Sequence, residues 1–306
     1  MRILFMGTPD FAVPSLNALI QAGHKICGVF TQPDKPKNRG MKLQPPPVKV
    51  VALSHDIPVY QPVSVKNGEA MEIIRQLQPE LIVVAAYGRI LPNEILEYPQ
   101  YGCINVHSSL LPKFRGAAPI HWAVVSGETE TGVTIMHMAQ ELDAGDIIDQ
   151  ARTPIDPDES VEAVHDRLAE LGGGLLVEVV EKLRLGTATR TPQDSSKATY
   201  ASMLSREMSA IDWTQPAKAI HDKIRGLSPW PAAATNIIHD TNIKIFGSSN
   251  LGEHTSAAPG TIVAAGKQGI DVACGDGKLL RITQLQAPGG KRMAAADYLR
   301  GHPLNL

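Results

Sequence analysis

Two polar residues in the run Cys103–His107 are spaced for chemistry. Side chains alternate between the faces of a β-strand, so Asn105 and His107 share one face while Ile104 and Val106 share the other. An amide and an imidazole that converge in this way can donate hydrogen bonds to negative charge developing on an oxygen atom. Such charge develops when an amine attacks an acyl carbon. The pair is therefore typical of a site for acyl transfer to an amine.

A carboxylate that could complete this site is Asp143, in the segment Gln140–Asp146. The segment follows a predicted strand, and its Asp-Ala-Gly sequence is typical of a turn. A carboxylate beside His107 can orient the imidazole, favour its protonated form and help to move the amine proton toward the leaving nitrogen. We therefore predict a catalytic set of Asn105, His107 and Asp143 that needs no covalent enzyme intermediate. The alternatives are a structural hydrogen-bonded pair for Asn105 and His107, and a simple turn for Asp143.

The elements that would position these residues alternate short apolar runs with helical patterns up to about residue 185. This alternation predicts a doubly wound, mostly parallel α/β sheet. The predicted strands are Ile3–Met6, Ile26–Thr31, Leu81–Ala86, Cys103–His107 and Val133–Met136. The predicted helices are Phe11–Gln21, Val48–Ser54, Glu69–Gln76, Pro119–Ser126 and Glu159–Leu183. Ligands of such sheets bind beyond the carboxyl ends of the strands, which is where Asn105 and His107 are expected.

A polar, aperiodic stretch around Thr191–Lys197 indicates a linker to a second domain. We predict a catalytic domain over residues 1–189, a linker over 190–207 and a C-terminal domain over 208–306. Short strands at regular spacing in the last part favour a small OB-like β-barrel. Its predicted elements are a helix, Ala217–Arg225, and the strands Ala233–Ile238, Ile243–Phe246, Thr261–Ala265, Ile270–Ala273 and Leu279–Leu285.

The composition excludes several classes of protein. The chain has 306 residues, 43% of them hydrophobic, but its most apolar run, Leu81–Tyr87, is far shorter than the roughly 20 residues that cross a bilayer. The three cysteines contain no Cys-x-x-Cys pair and the histidines no metal motif, so we predict a reduced, cytoplasmic protein without a metal site. A formal charge of −2 excludes a globally basic nucleic-acid binder but allows a local basic patch.

The loop after the predicted catalytic strand, Ser108–Gly116, has neither helical nor strand periodicity, as expected of a ligand loop. Its Ser-Leu-Leu-Pro and Arg-Gly motifs, with the preceding Asn-x-His and the later Leu-Asp-x-Gly, resemble the folate-dependent formyltransferase family. The resemblance implies 10-formyltetrahydrofolate as co-substrate and the same catalytic set of three residues. It also implies a pterin pocket in the segment Tyr87–Pro92. The implied folate-binding residues are Arg89, Ile90, Leu91, Ser109, Leu110, Leu111 and Pro112.

A proline-rich loop, Gln32–Pro47, concentrates positive charge. Residues 31–50 have five basic residues against one acidic residue, a net charge of +4. One interpretation is a semi-rigid connector. The other is RNA contact, because lysine and arginine hold phosphates. The segments Gly7–Phe11 and Gly116–Ile120, with the second domain, are similar to the branch of the family that formylates methionyl-tRNA. This similarity implies that tRNA is bound by Lys35, Lys37, Arg39 and Lys42.

The function implied by the resemblance is transfer of a formyl group to the methionine of initiator methionyl-tRNA, for translation initiation. A nucleotide-sugar or other small-amine formyltransferase would use the same three catalytic residues. A third hypothesis is a non-catalytic nucleic-acid-binding protein built around the barrel. Residues 205–306 have a net charge of +3, from eleven basic and eight acidic residues, which suits an auxiliary RNA surface or a solvated barrel equally. The sequence indicates no membrane and no obligate protein partner.

Overall fold

The computed structural model describes residues 1–37 and 42–304. The first part of the chain contains β1 (Arg2–Gly7), α1 (Val13–Gln21), β2 (Lys25–Phe30), β3 (Lys35–Lys37), β4 (Lys42–Gln44), α2 (Pro47–Ser54), β5 (Val59–Tyr60), α3 (Glu69–Leu77), β6 (Leu81–Ala85), α4 (Asn93–Leu96), β7 (Cys103–His107), β8 (Arg115–Gly116), α5 (Pro119–Val125), β9 (Glu130–His137), β10 (Ile147–Pro154) and α6 (Val161–Leu185). The remainder contains β11 (Tyr200–Ala201), α7 (Ala217–Leu227), β12 (Ala233–Thr235), β13 (Ile243–His254), β14 (Ile262–Gly266), β15 (Gly269–Ala273), β16 (Lys278–Gln286), β17 (Met293–Ala294) and α8 (Ala295–Gly301).

The chain divides into two compact units, and each unit is made of three separate segments of the sequence. The first unit consists of Met1–Gly116, Thr131–Thr153 and His165–Tyr200. The second consists of Ala117–Glu130, Pro154–Val164 and Ala201–Leu306. The predicted limits at 189 and 207 stay a prediction. None of the helices within residues 1–37 and 42–304 combines the length and apolar character needed to span a membrane.

The main sheet of the first unit has the strand order β10-β9-β7-β6-β1-β2-β5. Its strands from β5 to β7 pair in parallel, and β9 pairs antiparallel with β7. Strand β6 is buried along its whole length, as its unbroken apolar sequence predicts for a strand covered on both faces. This arrangement confirms the predicted doubly wound, mostly parallel sheet.

Register brings the carboxyl ends of β6 and β7 together. Val84 of β6 lies beside Asn105 of β7, and on the other side Met136 of β9 lies beside the same residue. The segments that follow β6 and β7 therefore begin next to each other, at the edge where a doubly wound sheet binds ligands. His107, the last residue of β7, pairs with Thr134 of β9.

Helix α6 packs closely on the strands that carry the polar pair. A Cβ atom on Gly172 would come within 3.0 Å of a methyl carbon of Val106 and 3.5 Å of one of Val133. On Gly173 it would come within 3.0 Å of the backbone oxygen of Pro14. Gly172 thus lets α6 approach β7 and β9 closely, and Gly173 lets it approach α1; larger side chains would increase both distances.

In the second unit, strands pair antiparallel in the order β12-β13-β16-β15-β14, with β17 added to β16. Its core includes Ile220 and Ile224 of α7 together with Ile245 and Ile282 of the sheet, all buried. The predicted small β domain after the α/β domain is confirmed. Strand β13 is longer than the predicted Ile243–Phe246, because it continues past a register shift at Gly247 through polar residues.

Candidate active site

His107 is 5% exposed at the end of β7, and both of its ring nitrogens face acceptors. Nε2 lies 3.0 Å from the backbone oxygen of Phe114. A carbonyl oxygen can only accept a hydrogen bond, so Nε2 carries the proton in the neutral ring. Nδ1 lies 3.7 Å from Oδ2 of Asp143. Nδ1 can therefore donate a hydrogen bond only when the imidazole carries its second proton.

Asp143 lies in the turn between β9 and β10 and has a left-handed backbone with φ of 51°. Its Oδ2 accepts the backbone N–H of Gly116 at 2.8 Å. Two residues later, a Cβ atom on Gly145 would come within 1.8 Å of the backbone oxygen of His137. The turn folds back so tightly on β9 that only glycine fits at position 145. The structure thus brings the predicted carboxylate to the predicted imidazole.

Asn105 is half-buried on the same strand as His107. In the described part of the chain, its side-chain amide has no hydrogen-bond partner. Most polar groups in protein interiors are paired with protein or ordered water. An amide that is held on a rigid inner strand and uses none of its hydrogen bonds is therefore available to a ligand.

The segment after β7 is fixed by a buried hydrogen-bond network. Ser109 and Thr134 are fully buried; Ser109 Oγ donates to Lys113 O at 2.7 Å, and Thr134 Oγ1 donates to Ser109 O at 2.7 Å. Thr134 Oγ1 also accepts the N–H of Leu111 and one N–H of Gln150. The hydroxyl of Ser109 is thus committed to the loop itself, and the side chain of Leu111 is buried, whereas Leu110 and Pro112 are half-buried.

The segment after β6, the predicted pterin pocket, is anchored by its backbone. Gln32 Nε2 donates to the backbone oxygens of Tyr87 and Gly88 at 3.0 and 3.3 Å. Tyr87 is buried, and this burial raises the pKa of its hydroxyl to about 12. Leu91 is 3% exposed while Ile90 is 67% exposed, and Arg89 is exposed too. Ile90 therefore offers an uncovered apolar side chain beside the end of β6.

The proline-rich segment contains the antiparallel strands β3 and β4, where the sequence analysis expected a loop without strands. Pro36 fits in β3 because, among the described residues, this strand has a neighbouring strand on one side only, so the missing backbone N–H of proline is tolerated. Lys35 is exposed, Lys37 and Lys42 lie opposite each other in register, and Arg39 lies outside the described residues. A cleft of about 750 Å³ beside the hairpin is lined by Thr8, Pro9, Asp10, Val13, Pro33, Lys35, Pro36, Gln44, Pro45, Pro46, Pro47, Val50 and Val51.

One of the five basic residues counted over residues 31–50 is already neutralised by an ion pair. Lys49 Nζ lies 2.9 Å from Oδ1 of Asp34 and donates to Oε1 of Gln61 at 2.8 Å. Hydrogen bonds from Lys49 and then from Gln61 lower the pKa of Asp34. With Lys49 and Asp34 paired, the net charge of +4 over residues 31–50 comes from the four residues predicted to bind tRNA.

Two segments of the chain match models of known protein families. Residues 1–180 match the model described as formyl transferase, and residues 203–303 match the model described as formyl transferase, C-terminal domain. The chain belongs to the formyl transferase family. It is 52% identical over 305 residues to the methionyl-tRNA formyltransferase of Trichlorobacter lovleyi, covering 100% of this chain and 95% of that protein. It is 48% identical over 300 residues to that of Bacillus subtilis, covering 98% and 94%.

Solved structures share the fold of this formyl transferase at lower identity. A sugar 3N-formyl transferase, WlaRD, solved in the presence of dTDP and 5-N-formyl-THF, is 18% identical with a TM-score of 0.71, over 92% of this chain and 97% of that chain. HypX from Aquifex aeolicus, in complex with tetrahydrofolic acid, is 19% identical with a TM-score of 0.62. That match covers 98% of this chain and 47% of HypX.

Two residues at the site of this formyl transferase were missed by the sequence analysis. Arg115 is 1% exposed, and its Nε and Nη2 donate to Oε1 of Gln193 at 3.1 and 2.9 Å. Gln193 Nε2 donates to the backbone oxygens of Asp143 and Gly145, each at 2.8 Å. Arg115 had a signal in the Arg-Gly motif, whereas Gln193 lies in the aperiodic stretch interpreted as a linker and had none.

Proposed function

We propose that this formyl transferase moves a formyl group from 10-formyltetrahydrofolate to the amino group of methionine on initiator methionyl-tRNA, for translation initiation in the cytoplasm. The observation that carries the proposal is that the Asp143 carboxylate lies 3.7 Å from His107 Nδ1, at the end of the strand that also contains Asn105. Identities of 48 to 53% over nearly the full length of methionyl-tRNA formyltransferases support this acceptor.

The folate co-substrate supplies an activated formyl group, and the residues of the chain act on the charge and the proton that the transfer generates. The amine forms a bond to the formyl carbon, negative charge develops on the formyl oxygen, and the bond to the folate nitrogen breaks. The Asn105 amide can donate one hydrogen bond to that oxygen, and protonated His107 can donate another from Nδ1, which lies 3.7 Å from Asp143 and is not engaged in a hydrogen bond. Asp143 accepts the proton that the amine loses and returns it toward the leaving nitrogen.

We assign folate binding to the two segments that follow β6 and β7. Exposed Ile90 can cover a flat pteridine ring, while buried Leu91 fixes the segment. Leu110 and Pro112 are half-buried and complete the apolar wall, with Arg89 exposed at its edge. Buried Ser109 and Leu111 act by shaping the loop, since the Ser109 hydroxyl bonds to Lys113. A largely apolar wall with few polar groups is typical of a site for a small aromatic ligand.

We assign tRNA binding to Lys35, Lys37, Arg39 and Lys42. Lys35 is exposed on β3, and Lys37 pairs in register with Lys42, so three of these four residues lie on one short antiparallel pair of strands. The Asp34–Lys49 pair anchors the base of the loop without taking charge from these four residues. Phosphate contacts of this kind give affinity without base specificity.

The deciding experiment offers the full-length chain 10-formyltetrahydrofolate with three acceptors in parallel. These are initiator methionyl-tRNA, free methionine and a nucleotide-linked amino sugar. Formation of N-formylmethionine on tRNA is expected, with an Asn105→Ala variant as the control for catalysis by this site. Formylation of the sugar alone would favour the small-amine alternative. Binding of tRNA without any formylation would favour the non-catalytic alternative.

A further inference from the structure

Gln193 can adopt only one amide orientation in this fold. Its Oε1 accepts two N–H groups from the buried Arg115 guanidinium, which has donors and no acceptor. Its Nε2 therefore points the other way, where it donates to the backbone oxygens of Asp143 and Gly145. Arg115 thus fixes the orientation of the Gln193 amide, and this amide holds the two backbone carbonyl groups of the Asp143 turn by hydrogen bonds.

The turn is held from a second direction by the residue next to Arg115. The N–H of Gly116 donates to the Asp143 carboxylate at 2.8 Å. The side chain of Arg115 therefore fixes the backbone of the turn through Gln193, while the adjacent backbone fixes the carboxylate. The left-handed φ of 51° at Asp143 is unfavourable for most residues, and such a conformation persists where its surroundings over-determine it.

The burial of Arg115 is itself informative. Its side chain is 1% exposed, yet the carboxylate paired with it, on Glu141, lies 3.5 Å from Nη1 and is 70% exposed. The amide oxygen of Gln193 makes the two shorter contacts. Burying a cation in this way is costly unless its donors are satisfied. Gln193 thus does more than fill space, because its amide oxygen satisfies donors of the buried Arg115 guanidinium.

We propose that Gln193 and Arg115 are positioning residues for formyl transfer, which act by holding Asp143 in its reactive place. The proposal rests on the proposed catalytic role of Asp143. Displacement of a catalytic group by about 1 Å can lower turnover by roughly 10²-fold. Loss of both Gln193 N–H groups frees the turn carbonyls, so turnover falls while the contacts that bind folate and tRNA persist.

The first test is the kinetics of Gln193→Met, which keeps the length of the side chain and removes both donors. We expect kcat to fall about tenfold to 10²-fold, with KM for each substrate within about twofold. Gln193→Glu is the second variant, because it keeps a partner for Arg115 but cannot donate to the two carbonyls. We expect the same loss of kcat. Asp194→Ala is the matched control, since it removes the neighbouring contacts to Ser196 and leaves the turn untouched.

The second test is a double-mutant cycle with Asp143→Asn, read beside the hydrogen exchange of the Gly116 amide. If Gln193 acts through Asp143, Gln193→Met lowers kcat no further in the Asp143→Asn background. Faster exchange at Gly116 in Gln193→Met, and not in Asp194→Ala, reports displacement of the carboxylate without reference to activity. Equal losses in both backgrounds, or wild-type kcat in both Gln193 variants, would overturn the proposal. Full activity of Asp143→Asn would instead remove the proposed catalytic role of Asp143.

Discussion

The carboxylate of Asp143 accepts the backbone N–H of Gly116 at 2.8 Å. The same oxygen lies 3.7 Å from Nδ1 of His107, which is longer than a hydrogen bond. The carboxylate is thus held by the backbone of the loop and not by the imidazole of His107. Catalytic hydrogen bonds are often long in the free enzyme and shorten once the substrate is bound. A small shift of the imidazole would close this gap without moving the turn.

Replacing Asn105 or His107 by Ala is expected to lower kcat by about 10²-fold or more, because each change removes a donor to the developing charge. The Asn105 amide has no partner in the described chain, so its loss should leave the unfolding temperature nearly unchanged. Single-turnover formylation and thermal unfolding of the two variants give both values. A folded variant that formylates at the wild-type rate would remove that residue from the proposed catalytic set.

Gly145→Ala is expected to abolish most activity, because the added methyl group would overlap the backbone oxygen of His137. The turn must then open, and Asp143 moves with it. Gly174→Ala is the matched control, since a Cβ atom there meets nothing within 4 Å in helix α6. That change should stabilise the protein by up to about 1 kcal/mol. Wild-type kcat in Gly145→Ala would show that the tight turn is dispensable.

Thr134→Val is expected to destabilise the chain by roughly 1 to 3 kcal/mol, because it leaves buried partners of the hydroxyl unpaired. The hydroxyl contacts Ser109 O, Leu111 N and Gln150 Nε2, so the proposed folate loop should loosen and KM for the folate should rise. Thr134→Ser keeps the hydroxyl and should retain most of the affinity. Denaturant unfolding and folate titration measure the two effects. If Thr134→Val is destabilised but its KM for the folate is unchanged, the hydrogen bonds of Thr134 contribute to stability and not to folate binding.

Neutralising Lys35, Lys37, Arg39 and Lys42 is expected to weaken tRNA binding and to flatten its salt dependence. Each lost phosphate contact removes about 0.9 from the log-log slope on duplex RNA regions, by analogy with DNA. Arg39 should have the largest single effect, since a guanidinium can grip a phosphate in two places, and Lys42 the second largest. The measurement is tRNA affinity at two salt concentrations, with folate affinity on the same preparation.

The control for the basic hairpin is the double variant Asp34→Asn, Lys49→Met. It removes an ion pair at the base of the loop and leaves the net charge unchanged, so the salt slope should stay at the wild-type value. An Arg39→Ala, Lys42→Ala variant that binds tRNA with wild-type affinity would favour the connector interpretation of the loop.

Local patterns predicted the parts of this fold that depend on local sequence. The strand Cys103–His107 has the predicted bounds, since its alternation is complete within five residues. Helix α6 begins two residues later than predicted and ends two later, because periodicity defines the middle of a helix better than its ends. Strand β10 was missed, because half of the residues of Ile147–Pro154 are polar and do not alternate with apolar ones, and the strand lies at the edge of the sheet.

In the candidate site too, the residues that lie in local sequence patterns could be predicted, whereas contacts between distant residues could not. Asn105 and His107 were predicted from one strand, and Asp143 from a turn with a recognisable sequence. The contacts of Gln193 with Arg115 and with Asp143 could not be predicted, because they join residues 78 and 50 positions apart and leave no periodic pattern in the sequence. The ion pair of Lys49 with Asp34 was missed for a similar reason, since it joins residues 15 positions apart that follow no periodic pattern.

The distance along the chain between Arg115 and Gln193 also sets an order of events during synthesis. Asn105 and His107 can take their places on a strand as soon as its neighbours are made. The hydrogen bonds from Gln193 to the Asp143 turn can form only after a segment 50 residues further along the chain has been translated. Closing a loop of that length costs only a few kcal/mol of chain entropy, but it cannot begin before the segment emerges. A nascent chain that stops short of residue 193 can therefore contain the strands of the main sheet, but it lacks the two hydrogen bonds that Gln193 donates to the Asp143 turn.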